Sequence, residues 1–220
     1  MTTHIEEGTS KKKGHKWFAA IYDRMAAPEE RRFMGDVRAE VAGGAKGNVL
    51  EIGAGTGLNF PYYRSAADVI ATEPDPYMRK RARQRLAESV KDIELREASA
   101  EELPFESNSF DTVVGTLVMC SVPHPERALA EIRRVLKSGG EYRFYEHVRY
   151  RHRFGAFWQD LILPVWRWCG AGCHPNRDTG RLIREAGFEI TQSEYSKPLP
   201  PIPPMVFSRP HLKGIARSPD

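Results

Sequence analysis

The 220-residue chain is predicted to fold as an α/β domain around a mostly parallel sheet. Three observations carry that expectation. Strand-like and helix-like segments alternate as βαβαβ from Asn48 onward, and a glycine cluster, Gly53, Gly55 and Gly57, stands where the first strand meets a helix. The composition, 40% hydrophobic and 28% charged, is that of an ordinary globular chain long enough for one well-buried core. Parallel strands need crossovers, and right-handed crossovers put helices on both faces of the sheet. Ligands of such sheets bind at the carboxyl ends of the strands.

Taken in order, Trp17 to Met25 and Glu29 to Val41 carry apolar residues at helical spacing, with Phe33, Val37 and Val41 four apart and Pro28 suited to the first turn of the second helix. Asn48 to Ile52 reads as a short buried strand running into the glycines, and Asp68 to Glu73 as the next. Asp75 is an N-cap with Pro76 at N1, and Met78, Ala82 and Leu86 form the inner stripe of the helix they open. Ile93 to Arg96 and Phe110 to Gly115 are strands; Pro125 to Leu136 is a helix with Leu129, Ile132 and Leu136 inward; Ser138-Gly139-Gly140 stops it, and Glu141 to Glu146 is a strand. Past Phe154 the composition changes. Phe157, Trp158, Trp166 and Trp168 precede Cys169-Gly-Ala-Gly-Cys173-His174, which reads as an inserted cap. A helix over Asp178 to Glu185, a stop at Gly187, a strand over Phe188 to Tyr195, a proline-rich loop over Pro198 to Pro204 and a last strand near His211 to Ala216 complete the chain.

Several function classes fall away on composition. The balance of 33 Lys+Arg against 29 Asp+Glu, +4, is only mildly basic. Cys120, Cys169 and Cys173 are an odd set with no secretory segment before them, so a disulfide framework is not expected and a reducing cytoplasm fits. Met1 to Lys16 has no apolar run, which predicts a flexible tail over residues 1–15 in place of a signal peptide or anchor. The five basic residues Arg79, Lys80, Arg81, Arg83 and Arg85 read as the solvated face of their helix.

The segment Glu51-Ile-Gly-Ala-Gly-Thr-Gly57 lets the backbone approach a ligand closely and exposes amide groups. Glu73, 22 positions past Glu51 at the end of the next strand, is placed to accept both hydroxyls of a ribose. Dinucleotide folds prefer G-x-G-x-x-G facing a pyrophosphate, which the Glu51 carboxylate would repel; the same carboxylate suits a cationic amino group. A ribose, an ammonium and a sulfonium together describe S-adenosylmethionine.

On Val49 to Gly57, Thr72-Glu-Pro-Asp-Pro-Tyr-Met78, Ala100-Glu-Glu-Leu-Pro-Phe105, Ser109 to Val114 and Glu131 to Gly140, the sequence resembles the class I S-adenosylmethionine-dependent methyltransferases, in particular the ubiquinone/menaquinone-type (methyltransferase type 11) group. The resemblance implies a Rossmann-like seven-stranded sheet with its last strand antiparallel, an N-terminal helical lid over 16–42 and a catalytic domain over 43–220 with a cap at about 148–180 after the fifth strand. It implies that Gly53, Ala54 and Gly55 line the methionine part of the cofactor beside Glu51, that Glu73 and Pro74 meet the ribose, and that Met78 covers one face of the adenine. Ser99 replaces the aspartate that relatives often carry before Ala-Glu, which shifts weight to Ala100 and Glu101 for the adenine contact. Thr116 and Leu117 complete the expected set, with Tyr22 closing from the lid; Asp23 is as readily a surface charge.

The acceptor is read from the cap. No Asn/Asp-Pro-Pro-aromatic tetrapeptide follows the fourth strand, so nucleic-acid bases are not expected as substrates and no nucleic-acid partner is expected. Gly115 to Val122, Tyr145-Glu-His-Val148, Phe157-Trp-Gln159, Gly172-Cys173 and Arg209-Pro-His211 resemble the methyltransferase-like protein 7 group, which methylates small alkyl thiols. That group carries an N-terminal membrane-anchoring helix not expected here. The resemblance implies a thiol acceptor, with His147 as candidate base or, alternatively, only a hydrogen-bonding partner of the cap, and with Cys120, Trp158 and Cys173 lining the substrate pocket. Trp158, Trp166 and Trp168 wall such a pocket or simply pack. Cys-x3-Cys-His over Cys169 to His174 has no fourth ligand nearby, and methyl transfer requires no metal, so no metal site is expected. Two other readings stay open: C- or O-methylation of a lipophilic quinone-like or natural-product ring, and a cofactor-binding adaptor for RNA or membrane without catalysis.

Overall fold

β1 (Gly47–Ile52) is buried on both faces: Leu50 and Ile52 pack in one cluster with Leu129, Ile132 and Ile183, and Val49 in another with Val41 and Ala82. The computed structural model describes residues 16–87, 92–200 and 202–219; the tail expected over 1–15 lies outside them. The remaining strands are β2 (Ala66–Thr72), β3 (Glu94–Arg96), β4 (Phe110–Thr116), β5 (Leu136–His147), β6 (Glu189–Ser196) and β7 (His211–Arg217). They form one seven-stranded sheet in the order β3-β2-β1-β4-β5-β7-β6. β1 to β5 are parallel, and β7 is antiparallel to both β5 and β6, which is the predicted topology. Strand order reverses between β1 and β4, so the crevice at their carboxyl ends is where a ligand of this architecture is received.

The helices are α1 (Lys16–Glu29), α2 (Gly35–Val41), α3 (Pro76–Leu86), α4 (Pro125–Val135), α5 (Arg153–Cys169) and α6 (Thr179–Glu185). α3 begins as expected, with the Asp75 carboxylate accepting from Tyr77 N at 2.8 Å and Met78 N at 3.2 Å. Two expectations are corrected. Pro28 does not open a second helix; it lies near the end of α1, and Glu30–Met34 winds as a π-helical turn before α2. A proline without an N–H cannot continue the i→i−4 ladder, and a wider turn just beyond it is one way the helix goes on. α4 ends at Val135, and β5 starts at Leu136 with an irregularity through Gly139 (φ +69°) before regular pairing resumes at Glu141. The aromatic cap is one 17-residue helix, α5.

The basic face of α3 is also revised. Arg79 is buried and donates to the Glu73 carbonyl at 2.7 Å while pairing with Glu97. Arg85 binds the Thr56 carbonyl and pairs with Asp23 of α1 at 3.2 Å, and Arg81 donates to Ala20 O at 3.3 Å. Lys80 and Arg83 remain exposed as expected. Among the described residues, no helix is long and apolar enough to cross a membrane.

Candidate functional site

The glycine turn and Glu73 come together as the spacing predicted. Ala54 N donates to Thr72 O at 2.9 Å, tying the turn after β1 to the end of β2. Glu73 is 7% exposed, and its two carboxylate oxygens accept from Gly55 N at 2.7 Å and Asp75 N at 2.8 Å. Burial raises its pKa against the pull of those two N–H groups. Gly53, Gly55 and Gly57 all have positive φ; a Cβ on Gly53 would come within 2.9 Å of Val118, while the Cβ side of Gly55 faces open space. Met78 is buried in the first turn of α3, with Pro74 half-buried beside Glu73. Ser99 Oγ accepts from Glu101 N at 3.3 Å, Ala100 is buried, and the Glu101 carboxylate accepts from His124 N at 2.6 Å. The Ser99 hydroxyl is thus spent on its own turn.

Glu51 stands at the floor of the crevice, 2% exposed. Its Oε1 accepts from Asn59 Nδ2 at 2.9 Å; its Oε2, like the Tyr63 hydroxyl, is buried without a hydrogen-bond partner. Burial pushes its pKa up to about 7 against the opposing influence of Tyr63, Asn59 and Arg38. Asn59 also donates to Thr116 Oγ1 at 3.1 Å and accepts from Arg38 at 2.6 Å, and Arg38 forks onto Glu30 at 2.7 and 2.9 Å. Sequence reasoning missed Arg38 and Asn59. The signal was there for Arg38, a charge in phase with the buried Met34 and Val41 of the lid.

The edge of β4 and β5 is built around a second buried carboxylate the sequence reading did not single out. Glu146, fully buried, accepts from the backbone N–H groups of Val118, Met119 and Cys120 at 2.9, 2.9 and 3.1 Å. This fixes the chain after Leu117, which holds a left-handed φ of +59°. Arg177 clamps the same turn through the carbonyls of Met119 (2.5 Å) and Val122 (2.7 Å). His174 N donates to Cys120 O at 2.6 Å and so seats the cap turn on the end of β4. The result is that His147 Nδ1 lies 3.6 Å from Cys120 Sγ and 3.6 Å from Cys173 Sγ. His147 is partly exposed, whereas both sulfurs are buried. Its ring also meets His211 at 4.6 Å, and burial with His147 nearby pushes the His211 pKa down to about 2, so that ring is neutral.

α1 lies beside this edge. Tyr22 and Glu29 of α1 are close enough for electrostatic interaction with Cys120 and His147 respectively, and burial lifts the Tyr22 phenol to about 12. Asp23 is no idle surface charge: it accepts from Thr56 Oγ1 at 2.6 Å and pairs with Arg85, latching α1 to the glycine turn. Trp158 stands apart from the three-residue cluster, 42% exposed in an outward stripe of α5 with Phe154, Phe157, Leu161, Val165 and Trp168. Trp168, 88% exposed, packs in no core, and Trp166 is half-buried. Cys169 is exposed. A cavity of about 740 Å³ lies at the other end of the strands, by Asn108, Leu136 and Ser218, and holds none of the predicted residues.

These residues fit S-adenosylmethionine. The buried Glu51 carboxylate, beside the Tyr63 hydroxyl and Asn59, offers a negative group to an ammonium, the open side of Gly55 admits a ligand, and each Glu73 oxygen keeps a lone pair for a ribose hydroxyl.

Residues 50–144 match the family model described as a methyltransferase domain. The human thiol S-methyltransferase TMT1B is 33% identical over 199 residues, 88% of this chain and 80% of that protein. The human thiol S-methyltransferase TMT1A is 30% identical over 206 residues, 90% and 82% of the two chains. A solved S-adenosylmethionine-dependent methyltransferase from Mesorhizobium loti superposes with a TM-score of 0.63 at 20% identity, covering 83% of this chain and 96% of its own, which shows the shared fold.

Proposed function

The chain belongs to the S-adenosylmethionine-dependent methyltransferase family that includes the thiol S-methyltransferases, and from that membership we propose that it methylates the sulfur of a small apolar thiol. The observation that carries the reading is the convergence of Cys120, His147 and Cys173, each from a segment of the thiol-methyltransferase resemblance, at the carboxyl edge of the sheet. The cofactor, when bound, supplies an electrophilic methyl group on a sulfonium, so the protein's task is alignment and exclusion of water.

Glu73, with Pro74 beside it, holds the ribose hydroxyls, Met78 borders the adenine, and Ser99, Ala100 and Glu101 stand at its amino edge. Glu51 pairs with the amino group, and the amides of Gly53, Ala54 and Gly55 line the methionine part. Thr116 and Leu117 form the wall toward the acceptor, and Tyr22 closes the methionine end from the lid. Cys120 and Cys173 line the acceptor pocket, and Trp158 stands on the outward face of α5. A free thiol ionises near pH 8.5, so only a minor fraction is thiolate at neutral pH. His147 has the task of converting the acceptor to thiolate.

In this reading 16–42 is a lid, 43–220 the catalytic domain and about 148–180 the cap. The protein acts in the cytoplasm without a nucleic-acid partner; its free cysteines and the internal engagement of Arg79, Arg81 and Arg85 support this. The outward apolar stripe of α5 favours, as a second reading, C- or O-methylation of a lipophilic ring. Transfer of labelled methyl to a panel of alkyl thiols, phenols and quinones separates the two. Methyl thioethers are the expected products; transfer to a phenol or quinone and to no thiol overturns the first reading.

A further inference from the structure

The three residues that meet at the end of β5 come from distant segments. Cys120 follows β4, His147 ends β5 and Cys173 belongs to the cap turn; their ligand atoms all lie within 4.8 Å of one another. They are a different set from Cys169, Cys173 and His174, of which only Cys173 joins the cluster. Metal–ligand geometry supplies a measure. A tetrahedral ion with bonds of about 2.3 Å to sulfur and 2.0–2.1 Å to imidazole nitrogen spaces sulfur and nitrogen about 3.5–3.6 Å apart, and two sulfurs about 3.8 Å apart. Both Sγ–Nδ1 separations here are 3.6 Å. Two of the three edges of a ligand triangle are thus already set.

The ligand-bearing backbone is also held. Cys120 N is fixed by Glu146 and Cys120 O by His174 N, while Cys173 N donates to Gly170 O at 3.0 Å. His147 is paired in register with His211 across β5 and β7. These bonds hold the backbone that carries the three side chains. Both sulfurs are buried and His147 is partly exposed, so His147 marks the accessible side of the cluster.

We propose that Cys120 Sγ, His147 Nδ1 and Cys173 Sγ bind one zinc-class divalent ion whose fourth position receives the acceptor thiol. Two thiolates and one imidazole suit zinc, and three protein ligands with one open position is the arrangement of a catalytic zinc. The assignment of the fourth position rests on the thiol reading above; the three-ligand site does not. His147 then acts as a ligand instead of a free base. As the acceptor sulfur coordinates, its S–H proton passes to solvent. A sulfur lone pair forms the new S–CH3 bond while the methyl–sulfonium bond breaks, its electron pair staying on the cofactor sulfur. The neutral thioether product is a weaker ligand and leaves the position to water or the next thiol.

The test uses the full chain, purified metal-free under anaerobic reducing conditions and titrated with cobalt(II), then zinc(II). Expected are one cobalt per chain, a near-ultraviolet thiolate charge-transfer band with intense visible d–d bands, displacement by one equivalent of zinc, and a shift of the d–d bands on adding an alkyl thiol. Cys120→Ser, Cys173→Ser and His147→Ala lose the site, while Cys169→Ser, at an exposed position outside it, keeps the spectrum. Native protein that binds no cobalt with a thiolate band, or retains that band in Cys120→Ser and Cys173→Ser, overturns the site. Bound cobalt whose spectrum ignores added thiol overturns the open position. Metal binding without thiol methylation keeps the site and removes the thiol reading; full thiol methylation by verified metal-free protein removes the metal from the reaction and keeps the thiol reading.

Discussion

Glu51→Gln separates the stability of the empty protein from its hold on the cofactor. Glu51 is 2% exposed with one oxygen unpartnered, and its pKa is about 7 in the fold against 4.5 in a free chain. Between those two pH values the folded state holds a proton that the unfolded state has released. The stability associated with it is intact below about pH 4.5 and is lost as pH rises to about 7. At 1.36 kcal/mol per tenfold step, ionising Glu51 in place costs about 3 kcal/mol at pH 8. Glutamine keeps the Oε1 bond to Asn59 and never ionises. The variant should therefore match the native chain near pH 4 and exceed it by up to about 3 kcal/mol at pH 8, read from urea midpoints of ligand-free protein. The cofactor carries the cation that makes a buried charge useful, so its binding should weaken tenfold or more, a loss of at least about 1.4 kcal/mol. Calorimetry with S-adenosylhomocysteine, which has the same amino group, measures this, and native binding below pH 7 should release a proton. A variant less stable than native at pH 8, or one with undiminished affinity, would refute the assignment of Glu51.

Glu73→Ala frees Gly55 N and Asp75 N as well as the ribose hydroxyls, so S-adenosylhomocysteine affinity should fall at least tenfold, about 1.5–3 kcal/mol; unchanged calorimetric affinity speaks against the ribose role. Asp23→Ala cuts the latch between α1 and the glycine turn. Its partly exposed ion pair is worth no more than about 1 kcal/mol, so global stability should barely change while proteolysis within Lys16–Glu29 accelerates; equal cleavage rates contradict the latch. Gln159→Leu removes a buried amide that accepts from Tyr150 N at 2.8 Å and donates to the carbonyls of Val148, Pro175 and Phe207. Unpaired buried groups at about 1–3 kcal/mol each predict a loss of at least 2 kcal/mol in urea unfolding, and a loss below 1 kcal/mol would show that water replaces the amide.

The candidate cofactor residues could be picked out in the sequence because their signals are local. Glu51, the glycine turn and Glu73 sit at strand ends whose apolar runs and turn residues are short-range signals, and β-strand alternation brings the ends of adjacent parallel strands together. Asp75 and Pro76 marked the start of α3 for the same reason. Charged side chains were harder to place. Arg79 and Arg85 look like a solvated face in sequence, yet a guanidinium can reach backbone carbonyls several residues away, and its burial depends on where those carbonyls are.

Hydrophobic periodicity and turn chemistry in the sequence determined the alternating α/β order and a mostly parallel sheet, the family resemblance implied its seven strands and antiparallel last strand, and one glycine-acid motif pointed to the cofactor class; each of these signals acts over a few residues. The tertiary structure alone decided how Arg38, Asn59 and Glu51 share one buried network, and how Glu146 and the His174–Cys120 bond carry Cys173 to Cys120 and His147. Those contacts join residues 8 to 54 positions apart, and no periodicity in a chain encodes which distant side chain fills a given buried valence. Folding selects it, because a buried polar group left without a partner costs more than most single contacts return.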